Sequence, residues 1–360
     1  MTSHAPNQTA FNPPLNLWRE LSQGPWLDEA YHHVLAKRSP TPATRRFEAQ
    51  WLLIKQRLLT QMQQGDFRLR PVHLISSEDS ILEGYDCRDA ILLRALSQIL
   101  HHHLAPILAR TCTHVKGHGG IQGTLNRVGR LLPHYAYVYR TDVKGYYGHI
   151  DHDILFDLCQ RWIKDPLAMA LIRQYARRRV INAQGQVKTI TCGIPRGCAL
   201  SPLMGALYLH DLDHQLHALR RASQQPFLYL RYMDDIIVLC KSRWQCRRLA
   251  KCIKHGLACL RVAEHPDKTY IGPCKKGFDF LGKVFNHQRV VGLSQAAWQR
   301  FKDNLNRLYE QGADHRRLDE YIWRWRQAVS VPKMGFWVSI EGIGFRSIVD
   351  EFRAPGWRSK

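Results

Sequence analysis

The stretch Pro226-Phe-Leu-Tyr-Leu-Arg-Tyr-Met-Asp-Asp-Ile-Ile-Val-Leu-Cys-Lys-Ser242 decides the fold prediction. Apolar runs flank Asp234 and Asp235, and two β-prone runs around a short polar break are typical of a hairpin. Adjacent acids at its tip repel each other strongly unless a cation lies there. Carboxylate oxygens are the ligands that hard divalent ions such as Mg²⁺ prefer. The stretch by itself also fits a solvated turn, and a third acid decides between the two interpretations.

That third acid is Asp142, in the stretch Tyr137-Val-Tyr-Arg-Thr-Asp-Val-Lys-Gly-Tyr-Tyr147. A second β-prone run ends at this aspartate, and a short aromatic-containing turn follows it. Two strand ends that present three carboxylates are suited to hold two metal ions about 3.5–4 Å apart, the arrangement used for in-line phosphoryl displacement.

Five segments of the chain resemble the motifs of reverse transcriptases. Residues 232–235 resemble motif C, and residues 142–147 resemble motif A. Between them, residues 193–203 resemble motif B, most closely the form found in group II intron and group II-like bacterial enzymes. Downstream, residues 265–269 resemble motif D, and residues 278–282 resemble motif E, the primer grip.

The resemblance implies an α/β (α+β) right-hand polymerase with fingers, a ferredoxin-like palm and a helical thumb. Helical periodicity over residues 199–220, 244–260 and 294–326 fits helices packed on a palm sheet and in a thumb. The expected organisation is a disordered tail at 1–15, N-terminal helices and fingers at 16–135, a palm at 136–287 with a finger insertion at about 152–190, and a helical thumb with a C-terminal tail at 288–360.

The resemblance also implies a catalytic site with two Mg²⁺ ions, for which Mn²⁺ is a possible substitute. Its ligands would be the carboxylates of Asp142, Asp234 and Asp235 with the backbone carbonyl of Val143. Lys268, which lies in the motif D segment, would donate a proton to the leaving group.

Four residues are expected to bind the nucleotide: Tyr147, Arg196, Gly197 and Met233. Tyr147 lies five residues after Asp142, where the family has its sugar gate. The alternative is that Tyr147 is a packing residue and Tyr146 faces the sugar. Arg196 stands where the usual family pattern has Gln, which predicts unusual nucleotide handling.

The net charge of +22 over 360 residues argues for a polyanionic partner. Nucleic acid is the first choice and an anionic membrane surface the alternative, although no long apolar span or signal peptide is visible. We therefore expect a soluble, cytoplasmic protein. The ten cysteines form no Cys-x-x-Cys pair, which predicts reduced thiols rather than a zinc ribbon.

Four arginines are candidate nucleic-acid ligands: Arg68, Arg70, Arg177 and Arg178. The first two lie in a strand predicted over residues 67–75, and the other two lie in a helix predicted over residues 151–182. Exposed, solvated side chains are the alternative for both pairs. A glycine-rich loop at residues 116–123 enters a predicted helix, where backbone N–H groups can approach phosphate, and a simple tight turn is the alternative.

These features predict an RNA-directed DNA polymerase that extends a 3′-hydroxyl with dNTPs. Its expected partners are an RNA template, an RNA–DNA duplex and dNTPs, and a dedicated non-coding RNA is also compatible. An RNA-dependent RNA polymerase, a template-independent or protein-primed polymerase and a maturase-like nucleic-acid-binding scaffold remain alternatives. Intron-derived, phage-defence and other bacterial retroelement roles all fit, and the sequence sets no oligomeric state.

Overall fold

The structure, a computed structural model, describes residues 15–77, 80–182 and 184–330; the side chains of residues 75–82 are excluded from that description. Most of the predicted disordered tail at 1–15 therefore lies outside the described residues. So does the part of the predicted thumb and tail from residue 331 onward. Within the described part of the chain, no helix combines the length and apolar character needed to cross a membrane.

The N-terminal region is helical, as its periodicity predicts. Its helices are α1 (Leu17–Gln23), α2 (Trp26–Leu35), α3 (Pro42–Ala49), α4 (Trp51–Gln64) and α5 (Cys87–Leu104). Asn16 and Thr41 accept hydrogen bonds from backbone N–H groups in the first turns of α1 and α3, so these caps fix where the helices begin. Gly65, at φ 77°, ends α4 in the left-handed conformation that glycine adopts without steric cost.

A first sheet contains β1 (Val72–Ser77), β2 (Ser80–Gly84), β4 (Arg179–Ile181) and β5 (Val187–Thr189), in the order β2-β1-β4-β5. The prediction of a strand from residue 67 is wrong at its start. The N–H of Leu69 donates to Gln174 Oε1 and the N–H of Arg70 to Asp89 Oδ2, at 2.9 and 2.6 Å. These backbone donors are therefore bonded to side chains and are not available for a β ladder.

The prediction of one helix over residues 151–182 is also wrong. The segment forms α8 (His152–Trp162), α9 (Pro166–Ala176) and then β4. Asp165 caps α9 by accepting from Ala168 N, and Pro166 occupies its first turn, where a missing N–H costs nothing. The proline therefore starts a new helix rather than continuing α8.

A second sheet, here called the palm sheet, contains β3 (Tyr137–Thr141), β6 (Leu228–Tyr232), β7 (Asp235–Cys240) and β8 (Tyr270–Pro273). Its order is β6-β7-β3-β8 and its pairs are all antiparallel. With helices between β3 and β6 and between β7 and β8, this is the ferredoxin-like arrangement. The predicted hairpin is confirmed, because Tyr232 pairs with Asp235 and leaves a two-residue turn. The mixed α/β fold class is therefore confirmed.

The two faces of the palm sheet bury different elements. Tyr139, Tyr229 and Val238 belong to the main core, together with α10 (Ser201–Tyr208), α11 (His210–Ala222) and α12 (Arg243–Cys259). The alternate residues Val138, Leu230 and Leu239 form a second core with α6 (Gly120–Leu131) and β9 (Phe278–Phe280). This alternation follows from the period-two side-chain pattern of a strand.

The described chain ends in a small sheet and two helices. The sheet has the order β11-β10-β9, with β10 spanning Lys283–Phe285 and β11 spanning Val290–Leu293. Helices α13 (Gln295–Glu310) and α14 (His315–Val329) pack on each other through a separate core that contains Phe301 and Ile322. The helical periodicity of this region is thus confirmed up to residue 329.

Candidate active site

Three aspartates meet at one end of the palm sheet. Asp142 directly follows β3, and Asp235 is the first residue of the neighbouring strand β7, where Thr141 pairs with Ile236. Carboxylate oxygens of Asp142, Asp234 and Asp235 all lie within 4.8 Å of one another. The structure therefore brings together the three acids that the sequence singles out.

Burial and mutual repulsion disfavour the charged forms of these acids. Burial, followed by repulsion from Asp142, raises the pKa of Asp234 to about 7 and the pKa of Asp235 to about 6. Lys268 supplies the nearby positive charge, with its Nζ 2.7 Å from Asp142 Oδ2. The hydrogen bond to Asp142 raises the pKa of Lys268, which keeps the ammonium group protonated. Three carboxylates against one ammonium group leave a negative, all-oxygen donor set that suits a hard divalent cation.

Val143, the residue directly after Asp142, is held in place by its backbone. An isolated antiparallel bridge joins Val143 to Glu264. Its hydrogen bonds run from Lys144 N to the Ala263 carbonyl and from His265 N to the Asp142 carbonyl, at 2.9 and 2.7 Å. The Val143 carbonyl takes part in neither bond, so the bridge fixes the position of residue 143 without using its oxygen.

The turn that carries Asp234 has a strained backbone held from both sides. Met233 has φ 56°, a left-handed conformation that costs a residue with a side chain roughly 1–3 kcal/mol unless its surroundings impose it. The N–H of Met233 donates to His114 Nδ1 at 2.9 Å, and Arg231 Nη1 donates to the Met233 carbonyl at 2.7 Å. His114 Nε2 lies 3.1 Å from the Pro202 carbonyl in the motif B segment. Because Nδ1 is the acceptor, Nε2 carries the proton and donates to Pro202.

Arg231 belongs to a buried, charge-balanced network behind the turn. Its guanidinium donates to both carboxylate oxygens of Asp213, at 2.9 and 2.5 Å, and the Tyr229 hydroxyl donates to Asp213 at 2.6 Å. The two charged side chains are 0% and 1% exposed. Sequence reasoning missed this network and His114. An arginine inside the apolar run of β6 is the signal that could have pointed to it, because such a residue needs a buried acid.

The two tyrosines after Asp142 occupy different environments. Tyr146 is 3% exposed and its hydroxyl donates to the Gly205 carbonyl at 2.6 Å. Tyr147 is less buried, and no hydrogen bond holds its hydroxyl within the described part of the chain. A Cβ added at Gly205 would lie 3.0 Å from the Tyr147 ring, so any larger residue at position 205 would crowd that ring. Tyr146 is therefore the more tightly packed of the two, and the partly exposed Tyr147 stays the candidate for contact with a nucleotide.

A family model described as "Reverse transcriptase (RNA-dependent DNA polymerase)" matches residues 86–285, more than half of the chain. The chain belongs to the reverse transcriptase family. The match covers the Asp142, Asp234 and Asp235 cluster and the Met233 turn.

Similarity to a group II intron-encoded protein supports a bacterial, group II-like reverse transcriptase, and a second curated relative also matches. The chain is 38% identical over 72 residues to the group II intron-encoded protein LtrA of Lactococcus lactis subsp. cremoris, which covers 20% of this chain and 12% of that protein. It is 25% identical over 181 residues to protein YkfC of Escherichia coli (strain K12), which covers 41% of this chain and 46% of that protein. The chain thus spans less than half the length of either relative.

Solved structures similar to this reverse transcriptase chain include two chains with related titles. One is from a "Partial Cas6-RT-Cas1--Cas2 complex" and the other from a "Cas6-RT-Cas1--Cas2 complex". Each superposes with a TM-score of 0.42 at 19% identity over 69% of this chain. The superposed part covers 44% and 27% of those chains.

The motif B segment in this reverse transcriptase is mostly buried and exposes only the tip of its loop. Arg196 and Gly197 are both exposed, and Gly197 has φ 84° with open space where a Cβ would lie. A side chain at residue 197 would have room, but the positive φ would strain the backbone of a residue other than glycine. Ser201 starts α10 directly afterwards and is buried against the Pro195 carbonyl, which anchors the loop.

The four candidate nucleic-acid ligands have different surroundings. Arg68 donates to the backbone carbonyl of Gly65, and Arg70 forms an exposed ion pair with Asp86 at 2.6 Å. Arg177 is exposed, 3.4 Å from Asp153, and its guanidinium lies over the ring of Phe156. All three stay candidates for phosphate contacts, since each guanidinium is accessible or only loosely paired.

The prediction that Arg178 faces phosphate is wrong. Its side chain is 7% exposed, pairs with Glu83 and donates to the Gly193 carbonyl at 2.9 Å. The chain turns from α9 into β4 at this position, which directs the guanidinium inward. Arg178 is therefore a structural residue that ties the first sheet to the start of the motif B segment.

Proposed function

We propose that this chain is an RNA-directed DNA polymerase that extends a primer 3′-hydroxyl with dNTPs. The observation that carries the proposal is the cluster of Asp142, Asp234 and Asp235, whose carboxylates converge at one end of the palm sheet of a reverse transcriptase family member. Phosphoryl transfer is catalysed mainly by positioning and by neutralising developing negative charge. A negative, all-oxygen cluster at the end of two rigid strands is suited to both tasks.

The three carboxylates and the Val143 carbonyl would hold two Mg²⁺ ions, and Mn²⁺ is an alternative. Metal bound there would lower the pKa of the attacking hydroxyl and neutralise charge on the triphosphate and its leaving pyrophosphate. The donor set fits, since three carboxylates converge and Lys268 is the cation that forms an ion pair with one of them, Asp142. Lys268 is more than half exposed and stays protonated, so it is the proposed proton donor to the leaving group.

The proposed partners are an RNA template, an RNA–DNA duplex and dNTPs. The net charge of +22 supports a polyanionic partner. Tyr147 is the proposed sugar gate, because its ring is accessible whereas Tyr146 is packed and hydrogen-bonded. Arg196, Gly197 and the Met233 backbone are the proposed remaining contacts to the nucleotide.

The test is primer extension by an Asp234→Asn, Asp235→Asn double variant. Removing both charges should cost about 4 kcal/mol of transition-state stabilisation, which is roughly a thousandfold in rate. Binding of an RNA–DNA duplex should change little, because the phosphates contact cations elsewhere. Asp267→Asn is the matched control, since Asp267 lies next to Lys268 but is 88% exposed and outside the cluster. It should keep near-normal extension.

Near-normal extension by a properly folded double variant would contradict the proposal. Wild-type incorporation of rNTPs in preference to dNTPs would indicate an RNA polymerase instead. Product formed without template, or without added primer, would indicate a template-independent or protein-primed polymerase. Tight duplex binding with no extension under any of these conditions would indicate a maturase-like scaffold.

A further inference from the structure

The outer helices of the palm sheet carry a basic surface that the proposed active site does not use. We call it the α11–α12 surface, and it consists of the exposed side chains of Arg220, Arg221, Arg243, Arg247, Arg248, Lys251 and Lys254. Over residues 214–263 the only acids are Asp234 and Asp235. Within the ranges that the structure describes, none of the seven cations forms an ion pair.

The two helices pack side by side, with the end of α11 near the start of α12. Gln245 Nε2 donates to the Gln225 carbonyl at 2.7 Å, and Gly256 packs against Leu212. Arg220 and Arg221 lie at the end of α11, and the other five cations lie along α12. The basic positions of α12 from 243 to 254 extend over about 16 Å at 1.5 Å per residue.

The charge pattern of α12 is unfavourable for a helix face that only meets water. Arg243 with Arg247, and Arg247 with Lys251, are like-charged pairs at spacing i, i+4, and each such pair destabilises a helix by a few tenths of a kcal/mol. Solvated helix faces ordinarily intersperse both signs. A polyanion would remove this repulsion, so the pattern favours a negatively charged partner.

An exposed tryptophan distinguishes among polyanions. Trp244 is 70% exposed, and the guanidinium of Arg248 lies 5.5 Å from its ring centroid. The apolar residues Leu249, Ile253 and Leu257 of the same helix are buried against the sheet. A helix that inserts into a membrane interface needs a continuous exposed apolar face. One aromatic ring among arginines is instead typical of surfaces that stack on nucleotides while binding phosphates.

The surface begins away from the metal cluster. β7 runs from Asp235 to Cys240, so Arg243 at the start of α12 is about 17 Å of strand from the aspartates, and α12 then runs back toward the bridge between Val143 and Glu264. Both α11 and α12 also cover the face of the palm sheet opposite to α6 and β9. A nucleic acid on this surface would therefore not occupy the site of the primer end.

We propose that the α11–α12 surface binds the phosphate backbone of a folded RNA while a primer–template occupies the active site. The proposal rests on the proposed polymerase function and assigns its RNA partner a second contact region. Helical RNA is recognised mainly through shape and phosphates, which a row of unpaired cations provides without base contacts.

The test compares two variants that each lose four positive charges. The first is Arg247→Gln, Arg248→Gln, Lys251→Gln, Lys254→Gln on the α11–α12 surface. The matched control is Lys37→Gln, Arg45→Gln, Arg46→Gln, Arg57→Gln, at four exposed positions in or beside the N-terminal helices. Each full-length protein is saturated with a short RNA–DNA primer–template, and the binding of a labelled RNA stem-loop is then titrated at several salt concentrations. Extension of the short primer–template is measured in parallel.

Wild type should bind the stem-loop and the primer–template together. In the first variant, here called the α12 variant, the stem-loop affinity should fall about tenfold or more. The magnitude of the slope of log affinity against log salt should fall by about 3 to 4. Extension of the short primer–template should stay within about twofold, and the control should keep the wild-type affinity and slope. Extension is scored separately from RNA binding, so an inactive wild type that binds the stem-loop contradicts the polymerase proposal alone.

Three results would overturn the inference. The first is an equal loss of affinity in both variants, which would indicate bulk charge. The second is no loss in either variant. The third is that the α12 variant keeps the stem-loop affinity of wild type but loses the ability of wild type to bind vesicles containing phosphatidylserine. That result would identify a lipid surface instead.

Discussion

Two groups of charged residues at the palm sheet, one with three aspartates and one with a single aspartate, show opposite charge balance. At the end of β3 and β7, Asp142, Asp234 and Asp235 face one another with Lys268 as their cation. Behind the same turn, Asp213 accepts three hydrogen bonds, two of them from Arg231, and its charge is fully matched. The first group has an excess of negative charge, and the second has none.

The difference separates a binding site from a structural support. Repulsion within the metal cluster remains until a cation arrives, so the folded protein tolerates an unfavourable arrangement there. The Arg231 network gains from both its Coulomb attraction and its hydrogen bonds, and Arg231 extends that support to the Met233 carbonyl. The same chemical change, Asp to Asn, should therefore have opposite effects on stability in the two groups.

The largest effect on stability is expected for Asp213→Asn. The amide would leave the Arg231 guanidinium buried without a matching charge, and breaking such a pair typically costs about 3–5 kcal/mol. Denaturant unfolding should show this loss as a lower midpoint with little change in slope. An unchanged midpoint would mean that Asp213 is not the charge partner that stabilises Arg231.

Asp234→Asn is the matched control, measured in metal-free buffer. The pKa of Asp234 is raised from 3.8 to about 7, so the folded state holds its proton more tightly than the unfolded chain. For a raised carboxyl pKa, stability falls as pH rises from about 4 through about 7. Above that window the amide removes a repelled charge, and the variant should be as stable as wild type or more stable. A clear loss of stability in Asp234→Asn at that pH would contradict the expected difference between Asp234 and Asp213.

Tyr147→Ala should change sugar selection by a smaller free energy. The two tyrosines again differ in how the fold holds them. The Tyr146 hydroxyl donates to the Gly205 carbonyl, whereas Tyr147 is partly exposed. Removing the Tyr147 ring should make room for a 2′-hydroxyl and lower the ratio of kcat/KM for dGTP over GTP. The expected change is about 1–3 kcal/mol, or ten- to a few hundredfold. Tyr146→Phe serves as the control and should leave the ratio unchanged; equal shifts in both variants would assign the gate elsewhere.

Local patterns in the sequence were enough to predict the hairpin at Asp234 and the helices on and after the palm sheet. They failed where distant side chains decide the structure. The segment before β1 alternates like a strand, yet its N–H groups are bonded to Gln174 and Asp89. In the sequence Arg178 belongs to a basic run, yet its ion-pair partner Glu83 lies 95 residues away in the chain. The local pattern of apolar and polar residues does not indicate contacts between residues so far apart in the sequence.

The support for the metal cluster was missed for the same reason. Arg231 lies within the stretch that decided the fold, but Asp213 comes from a separate helix and His114 from a loop 119 residues before Met233. The three aspartates could be predicted, because each lies at or next to the end of a strand with a strong apolar pattern. The contacts that hold their turn depend on how α11 and that loop pack, which the local pattern does not specify.

The smallest effect, and the most informative one about the turn, is expected at His114. Burial lowers the pKa of His114 to about 4, so the ring is neutral near pH 7 and Nδ1 can accept from the Met233 N–H. Losing this bond leaves a buried donor unsatisfied beside a strained residue, at a cost of about 1–2 kcal/mol. His114→Ala should therefore lower kcat about five- to thirtyfold and raise the Mg²⁺ concentration needed for half-maximal extension.

Conservative variants separate the two bonds of His114. An asparagine amide oxygen reaches the position of Nδ1, so His114→Asn can keep the bond to Met233, whereas a glutamine amide reaches only the Nε2 side and the Pro202 carbonyl. We expect Asn, but not Gln, to restore the Mg²⁺ midpoint. His118→Ala is the control, because His118 is bonded to the Cys112 carbonyl in the same loop and does not touch the turn. A purely structural role for His114 would lower thermal stability and leave the Mg²⁺ midpoint unchanged in all four variants, and that result would show that the turn keeps its position without this contact.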